Sequence, residues 1–328
     1  MTIKVMGIAD IQQTIQPEWD DFQSFYRQQL RSAAAEMDLI TNYVYAQKGK
    51  QLRPLLVLLC AQLNGGITHK TQVGAAMVEL VHTGTLLHDD VIDEAAERRS
   101  VPSVNAKWNS KTAILAGDFF YSKGLLVAAE TNTYDLLKIL AASMQEVGEG
   151  EILQMQKSQD LDITEPLYLE IIRKKTASLL QACTHIGAVS GGASASQTKA
   201  MQNFGNLLGI AFQLRDDVLD YHTAKVTGKT EGNDIREQKL TLPLIFALQQ
   251  VDANEQKRVL QWVADAKHNA QNVVEVMNFV KRNNGIAYAE QTTRRYAEQA
   301  KALLENYPSS SIKEALNSLV EYIAYREK

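Results

Sequence analysis

The pattern Asp-Asp-x-x-Asp occurs twice in this chain, at Asp89–Asp93 and at Asp216–Asp220, each time after a long apolar stretch. Residues four apart lie one turn apart on the same helix face, so the first and last aspartates of each motif repel one another. One such motif alone could equally be an exposed acidic helix end. Two of them on otherwise apolar helices predict that the acidic faces look at each other across a cavity and share bound cations.

Apolar residues recur at helical spacing along the whole sequence, and no stretch keeps the period of two that strands need. The one long polar segment, residues 222–241, is expected to be a functional loop. No repeat, low-complexity tract or linker divides the chain. We therefore expect a single all-α domain over residues 1–328, with helices near residues 17–37, 52–63, 71–94, 112–129, 134–157, 165–189 and 197–221.

Composition excludes several classes of protein. The net charge of −4 over 328 residues argues against a general nucleic-acid binder. Cys60 and Cys183 lie in apolar stretches, which favours buried, reduced thiols over a disulfide framework. The N-terminus lacks the features of a secretion signal, and the longest apolar run, around residues 54–61, is too short to cross a bilayer. We expect a cytoplasmic protein without a stable membrane anchor.

The acidic motifs suit a diphosphate, because Mg²⁺ is typically held by one or two carboxylates together with substrate phosphates. Such a substrate also needs fixed cations, and the sequence places basic residues beside its helix breaks. Lys50 and Arg53 open a helix, whose N-terminus favours anions. Arg98 and Arg99 follow the first motif closely enough to fold back over it, and an arginine fork can bind phosphate in bidentate fashion.

Further candidates are Lys175, Thr176, Lys229 and Lys239. Each of these taken singly is more readily a solvated surface residue, but as a set flanking two acidic motifs they favour a binding site. His82 lies seven residues before Asp89 and so shares roughly its helix face. A buried core histidine and a substrate contact are equally good interpretations of His82.

These segments together resemble the trans-prenyltransferase (polyprenyl synthase) family over nearly the whole chain. The resemblance implies an isoprenoid synthase-like bundle of long helices around a deep central cavity, usually a homodimer. It also implies head-to-tail condensation of isopentenyl diphosphate with an allylic diphosphate, with Mg²⁺ as cofactor, three ions when substrate is bound. The segments that carry it are Gly49–Pro54, His82–Arg99, Lys175–Thr176, Phe212–Asp220 and residues 228–243.

Carried over position by position, the resemblance assigns roles to individual residues. The metal-binding carboxylates would be Asp89, Asp93, Asp216 and Asp220, with Asp90 and Asp217 acting through water. Asp220 would act on the metal directly or through water. The allylic diphosphate would be held by Arg98, Lys175, Thr176, Gln213, Lys229 and Lys239. Isopentenyl diphosphate would be held by Lys50, Arg53, His82 and Arg99. The chain departs from the common family pattern at Lys48, at Gln51–Leu52, at Ser100 (where glycine is frequent) and at Thr230.

Product length is predicted from the helix below Asp89, where short-chain members of the family often carry aromatic residues. Here Gly84 and Thr85 are small, and with Val81 they would leave the floor of the cavity open. Each helical turn adds roughly 5.4 Å of depth, so we expect a long all-trans product, heptaprenyl to decaprenyl, of the kind used for quinone side chains. The alternatives are that the small residues only permit helix packing, and that the product is farnesyl or geranylgeranyl diphosphate.

Three rival functions remain at this stage. A class I terpene cyclase shares the helical fold, but its second metal motif usually mixes Asn, Ser or Thr with Glu. A metal phosphohydrolase would use His88 and Asp89 with His69 or His185, and would leave the second acidic motif without a purpose. A regulatory subunit of a synthase would be expected to have lost acidic residues, and all of them are present here.

Overall fold

A computed structural model of the chain describes residues 6–222 and 232–326. The described residues are almost entirely helical, and a two-stranded antiparallel hairpin of β1 (Glu97–Arg98) and β2 (Val101–Pro102) follows the first acidic motif. The all-α prediction is confirmed. The helices are α1 (Ile8–Gln13), α2 (Gln16–Gln29), α3 (Ala35–Ala46), α4 (Leu52–Leu63), α5 (His69–Ile92), α6 (Val104–Lys107), α7 (Ser110–Glu130), α8 (Tyr134–Asp160), α9 (Glu165–Ile172), α10 (Ser178–Ser190), α11 (Ala195–Leu219), α12 (Asn233–Arg236), α13 (Leu242–Gln249), α14 (Ala253–Asp265), α15 (Ala270–Arg282), α16 (Gly285–Leu304) and α17 (Ser311–Tyr325).

Two of the predicted helices are divided in the structure. The helix expected over residues 17–37 ends at Gln29 and restarts at Ala35. Between these ends the Ser32 hydroxyl accepts a hydrogen bond from the Ala34 N–H, a local contact that competes with helical pairing. The helix expected over residues 165–189 contains a π-helical turn at Arg173–Ala177. This turn carries two of the predicted site residues.

Helix α10 lies at the centre of the bundle and packs against α4, α5, α8 and α11. Its approach to α4 depends on Gly187, where a Cβ atom would lie 2.5 Å from the Val57 carbonyl oxygen. The helices that carry the acidic motifs both begin with capping boxes, at Thr68 for α5 and at Ser194 for α11. These caps fix where each helix starts, so each motif falls at a defined C-terminal end.

The buried apolar side chains form two clusters, and α11 contributes to both, with Phe204 in the first and Leu214 in the second. The first cluster gathers α1 to α8, α10, α17 and the C-terminal half of α16, and the second gathers α9, α12 to α15 and the N-terminal half of α16. Because α11 runs through both, it ties the N-terminal half of the chain to the C-terminal helices. The single-domain description stays a prediction.

Helix α7 is long and apolar enough to cross a membrane by length and composition, and 39% of its apolar window is buried. The longest uninterrupted apolar run is still that around residues 54–61, because Asp118 and Lys123 interrupt the apolar residues of α7 without ending the helix. The expected lack of a stable membrane anchor stays a prediction. One face packs on α5 through small residues and Phe120. The opposite face exposes Ile114, Leu115, Leu125 and Leu126.

Candidate active site

The first acidic motif occupies the C-terminal end of α5. Asp89 and Asp90 lie in the last turn, and Asp93 caps the helix by donating its backbone N–H to the Asp89 carbonyl at 2.8 Å. The negative end of the helix dipole disfavours carboxylates at this place. Burial, followed by the charge of Glu151, raises the pKa of Asp89 to about 6. The anionic form of this motif therefore needs a neighbouring cation.

Asp90 points away from the other acids and holds Arg98. Its side chain is 2% exposed, and the Arg98 Nε donates to both carboxylate oxygens at 2.8 Å. The β1–β2 hairpin makes this contact possible, because it turns the chain back over the end of α5. The arrangement makes Asp90 a support for the Arg98 guanidinium.

The side chain of Arg99 packs so closely on Gly49 that only glycine fits at this position. Its guanidinium donates to the Gln47 carbonyl oxygen and lies against the backbone of Gly49. A Cβ atom at Gly49 would be 2.6 Å from the Arg99 Nη2. The glycine thus lets the arginine that follows the first motif reach the start of α4, as the sequence predicts for the isopentenyl side.

The second acidic motif occupies the C-terminal end of α11, and its three carboxylates have different partners. Asp216 is 39% exposed and accepts from Arg326 at 2.6 Å. Asp217 is buried and accepts from Gln213 at 2.7 Å and from the Tyr168 hydroxyl. Burial, followed by the charge of Asp234, raises the pKa of Asp217. Asp217 is therefore part of the supporting structure, in agreement with an indirect role.

Asp220 accepts hydrogen bonds from the backbone N–H groups of Asn233 and Asp234, both at 3.0 Å. One oxygen takes each donor, so Asp220 anchors the chain at α12, where the described residues resume. Both carboxylate oxygens of Asp220 accept these backbone hydrogen bonds, so a metal ion would have to share them. The role of Asp220 as a metal ligand stays a prediction. Asp216 and Asp220 are both partly exposed, whereas Asp217 is buried.

Lys175 and Thr176 lie in the π-helical turn, which re-aims their side chains toward the acidic motifs. The Lys175 Nζ is 2.6 Å from Glu151 and donates to the Gln154 Oε1 at 2.7 Å, and Thr176 donates to the Gln213 Oε1 at 2.7 Å. The turn is held closely on both sides by glycine. A Cβ atom at Gly150 would lie 2.8 Å from the Lys175 backbone nitrogen, and one at Gly209 would lie 2.4 Å from the Cα of the last residue of the turn.

The electrostatics show that the two motifs share one charged region. Burial raises the pKa of Asp93, and the next largest influence on it is Lys239, which comes from the segment after the second motif. Lys239 pairs with Glu237 and also acts on Asp234. Lys175, from the π-helical turn, acts on both Asp89 and Asp93. The predicted residue Lys229 lies outside the described residues.

The residues predicted for isopentenyl diphosphate gather around the start of α4. Lys50 donates to the Tyr322 hydroxyl, and the buried Nε of Arg53 makes no hydrogen bond to the described residues. Burial and the charges of Arg53, Arg99 and Arg98 lower the pKa of His82 well below its ordinary value, so its imidazole is neutral. A small apolar cavity adjoins Arg53. It is lined by Leu52, Arg53, Leu56, Leu180, Phe212, Leu319 and Ile323.

Sequence reasoning missed several residues of the site. Glu79 is a buried carboxylate in an apolar part of α5; burial raises its pKa, and the charges of Arg53 and Arg99 oppose that rise. A glutamate inside an apolar helix was the signal for it. Glu151 and Gln154 hold Lys175, and their spacing of three residues on one helix was the available signal. Tyr168 and Arg326 reach the second motif only through tertiary structure.

Two residues of the predicted cavity floor, Gly84 and Val81, pack against α7, and their role in product length stays a prediction. A Cβ atom at Gly84 would lie 2.7 Å from the Tyr121 ring and 2.9 Å from the Gly117 carbonyl oxygen, and Val81 packs against Gly124. Both residues therefore face α7. At about 100° per residue, offsets of five and eight residues from Asp89 rotate a side chain by roughly 140° and 80°. Thr85, four residues away, stays near the Asp89 face and is partly exposed.

The donor set fits Mg²⁺ bridged to a diphosphate. Among residues 6–222 and 232–326, no three His, Cys, Asp or Glu side chains converge closely enough to hold a metal ion by themselves. Exposed or half-exposed carboxylates instead stand beside fixed cations, as expected where substrate oxygens complete the coordination shell of Mg²⁺. Asp89, with its raised pKa, and Asp216 are the best placed to take part.

The histidines do not support the phosphohydrolase alternative. His88 stacks on Tyr121, and its Nε2 lies 3.1 Å from the Ile114 carbonyl oxygen and 3.4 Å from Asp118. His69 meets the ring of Phe25 edge-on at 5.6 Å, and His185 contacts Gln202 at 3.1 Å. Each of the three is engaged in helix packing or a local hydrogen bond, and none joins Asp89 in a metal site.

Comparison with known proteins agrees with this geometry. Residues 34–280 match the Polyprenyl synthetase family. The octaprenyl diphosphate synthase of Haemophilus influenzae is 32% identical over 316 residues, covering 96% of each chain. The short chain isoprenyl diphosphate synthase of Methanothermobacter thermautotrophicus is 34% identical, covering 85% of this chain and 87% of its own. A polyprenyl synthase of Caulobacter crescentus, crystallised with calcium and isoprenyl diphosphate, superposes with a TM-score of 0.92 at 32% identity over 99% of each chain. The chain belongs to the polyprenyl synthetase family.

Proposed function

We propose that this protein condenses isopentenyl diphosphate with an allylic diphosphate, head to tail, to make a long all-trans polyprenyl diphosphate. The observation that carries the proposal is the placement of two acidic helix ends on either side of one set of fixed cations. Lys175 and Lys239 act on the first motif, while Thr176 and Gln213 join the π-helical turn to the second. A diphosphate is the substrate group that such an arrangement neutralises.

The reaction follows from the two halves of the site. The allylic C–O bond breaks with both electrons passing to the diphosphate, whose charge Arg98, Lys175 and Lys239 neutralise. The double bond of isopentenyl diphosphate, held by Lys50, Arg53 and Arg99, attacks the allylic cation. The departed diphosphate then accepts the proton whose loss restores a double bond. Mg²⁺ held by Asp89, Asp93 and Asp216 would supply Lewis-acid stabilisation of the departing oxygen, which is worth several kcal/mol.

A long product, heptaprenyl to decaprenyl and suited to quinone side chains, is supported by two observations. Thr85 keeps the wall below Asp89 free of aromatic bulk, and octaprenyl synthases are among the relatives that align over almost the whole chain. Helix packing now accounts for Gly84, so Thr85 carries the structural part of this proposal. A farnesyl or geranylgeranyl product is the alternative, supported by the short-chain relative.

The exposed apolar face of α7 supports a homodimer. Ile114, Leu115, Leu125 and Leu126 lie on one side of a helix whose other side is packed on α5, and burying them against a second copy would remove an apolar surface from water. The buried thiols of Cys60 and Cys183 suit a reducing cytoplasm. Sedimentation of the purified protein, with Leu115→Glu and Leu125→Glu variants, tests the dimer.

The function is tested with purified protein, Mg²⁺, labelled isopentenyl diphosphate, and farnesyl or geranylgeranyl diphosphate as primer. We expect radiolabel in extractable products of seven to ten isoprene units, and none after chelation of the metal. Products that stop at three or four units would support the short-chain alternative. Cyclised hydrocarbon, or no incorporation with any primer, would contradict the proposal.

A further inference from the structure

The last described residue of the chain, Arg326, is bound to the second acidic motif at several points. Its Nη2 lies 2.6 Å from the Asp216 Oδ1 and 3.5 Å from the Phe212 carbonyl oxygen. The guanidinium carbon stands 4.1 Å above the Phe212 ring. The Arg326 carbonyl oxygen in turn accepts from the Arg215 Nε at 2.8 Å. Both the side chain and the main chain of Arg326 are thereby fixed to α11.

This contact is built into the fold. The Arg326 side chain is 10% exposed, and its Nε is buried without a hydrogen-bond partner among the described residues. Its backbone N–H continues α17 by donating to Tyr322 at 2.9 Å. A surface arginine in a passing ion pair would keep its donors in water, where such pairs contribute little. The end of α17 therefore places a cation specifically on Asp216.

Asp216 is also the carboxylate of this motif best placed to take part in metal binding. A guanidinium and a divalent cation repel one another. A buried arginine 2.6 Å from the Asp216 carboxylate therefore lowers the affinity of that carboxylate for a metal ion. We propose that Arg326 is an internal counter-ion of Asp216 that competes with the metal, so that metal binding at the second motif releases the end of α17. This inference rests on the proposed function, through the assignment of Asp216.

Release of the C-terminal end has a second consequence. Arg326 covers Phe212, and Phe212 with Ile323 lines the small cavity beside Arg53. The same helix carries Tyr322, which accepts from Lys50. Metal binding at Asp216 is thereby linked to the residues around the predicted isopentenyl site.

Metal affinity tests the competition directly. Metal-free full-length protein is titrated with Mn²⁺, and the free ion is followed by its electron paramagnetic resonance signal. We expect Arg326→Gln to bind Mn²⁺ at the second motif roughly tenfold more tightly than the wild type, because hydrogen bonds to charged groups are the strong ones. Arg326→Lys should stay near the wild type. Arg258→Gln, at an exposed arginine that contacts Glu255 and the Trp262 ring, removes the same charge far from the site and should leave the affinity for Mn²⁺ unchanged.

The outcomes separate this inference from the proposed function. If Asp216→Asn loses Mn²⁺ while Arg326→Gln binds it no more tightly than the wild type, the competition is refuted and the metal site stands. If Asp216→Asn binds Mn²⁺ as the wild type does, both the competition by Arg326 and the metal site at Asp216 are refuted. Hydrogen exchange gives a reading independent of affinity. Mn²⁺ should speed exchange in the peptide Tyr322–Arg326 of the wild type, and unchanged or slower exchange there would overturn the proposed release.

Discussion

Arg98, in β1 of the hairpin that follows the first acidic motif, donates from its Nε to both carboxylate oxygens of Asp90 at 2.8 Å. This pair separates two tasks within one motif, since Asp90 orients the Arg98 guanidinium while the charge of Lys175 acts on Asp89 and Asp93. Asp90→Asn should preserve the fold but leave the guanidinium loosely held. We expect kcat/KM to fall about 10- to 100-fold through misplacement of Arg98.

Steady-state kinetics of Asp90→Asn against Asp20→Asn, an exposed carboxylate bonded only to Gln16, would measure this effect. Circular dichroism should show the same helix content in both. An Asp90→Asn enzyme with wild-type kcat/KM would show that Arg98 does not depend on this carboxylate.

Thr85→Phe should shorten the product, because an aromatic ring at this position fills the wall below Asp89. Product lengths resolved by chromatography, at equal isopentenyl diphosphate, give the answer. An unchanged distribution of product lengths would show that Thr85 does not form the floor of the product cavity.

Gly84→Ala is the companion variant, because the structure places Gly84 against α7. The added methyl would meet the Tyr121 ring and the Gly117 carbonyl at under 3 Å. We expect a loss of about 1–3 kcal/mol in the free energy of unfolding, measured by urea denaturation, with the product length kept. A variant of wild-type stability that makes shorter products would show that Gly84 forms part of the cavity floor.

Ser100 occupies a position that its side chain disfavours. Arg99 and Ser100 have φ angles of 57° and 64° in the turn of the β1–β2 hairpin, a region that glycine adopts at little cost. Ser100→Gly should therefore raise the free energy of unfolding by about 0.5–1 kcal/mol. Ser310→Gly, which removes the N-cap of α17, should shift stability the other way. A destabilised Ser100→Gly protein would mean that the serine hydroxyl makes a contact that the turn needs.

The stability of metal-free protein should depend on pH through Asp89. Burial and the charge of Glu151 raise its pKa from 3.8 to about 6, so between these values the folded chain keeps a proton that the unfolded chain has lost. The stability contributed by this group is therefore highest below pH 4 and falls as pH rises to about 6, by roughly 1–2 kcal/mol. Denaturation in EDTA at pH 4.5 and 7 should show a smaller fall in Asp89→Asn. The same change in the free energy of unfolding between pH 4.5 and 7 in the wild type and in Asp89→Asn would contradict the raised pKa of Asp89.

Sequence reasoning recovered the features that depend on local spacing. The bounds of α4 and the position of both acidic motifs at helix ends follow from capping residues and helical periodicity. The contacts of Val81 and Gly84 with α7 were not predicted, because counting turns ignored the rotation that accumulates over five and eight residues. The π-helical turn under Lys175 and the pairing of Arg326 with Asp216 depend on contacts between distant segments, which no local pattern records.

The central claim is that both acidic motifs hold the same diphosphate, and a double-mutant cycle on ligand binding tests it most directly. Calorimetry with Mg²⁺ and a non-ionising thio-analogue of farnesyl diphosphate would give the affinity of wild type, Asp89→Asn, Asp216→Asn and the double variant. We expect each single change to weaken binding at least tenfold, and the double variant to lose much less than the product of the two losses, because the sites are coupled through one ligand. Wild-type affinity in either single variant, or losses that multiply independently, would contradict the account.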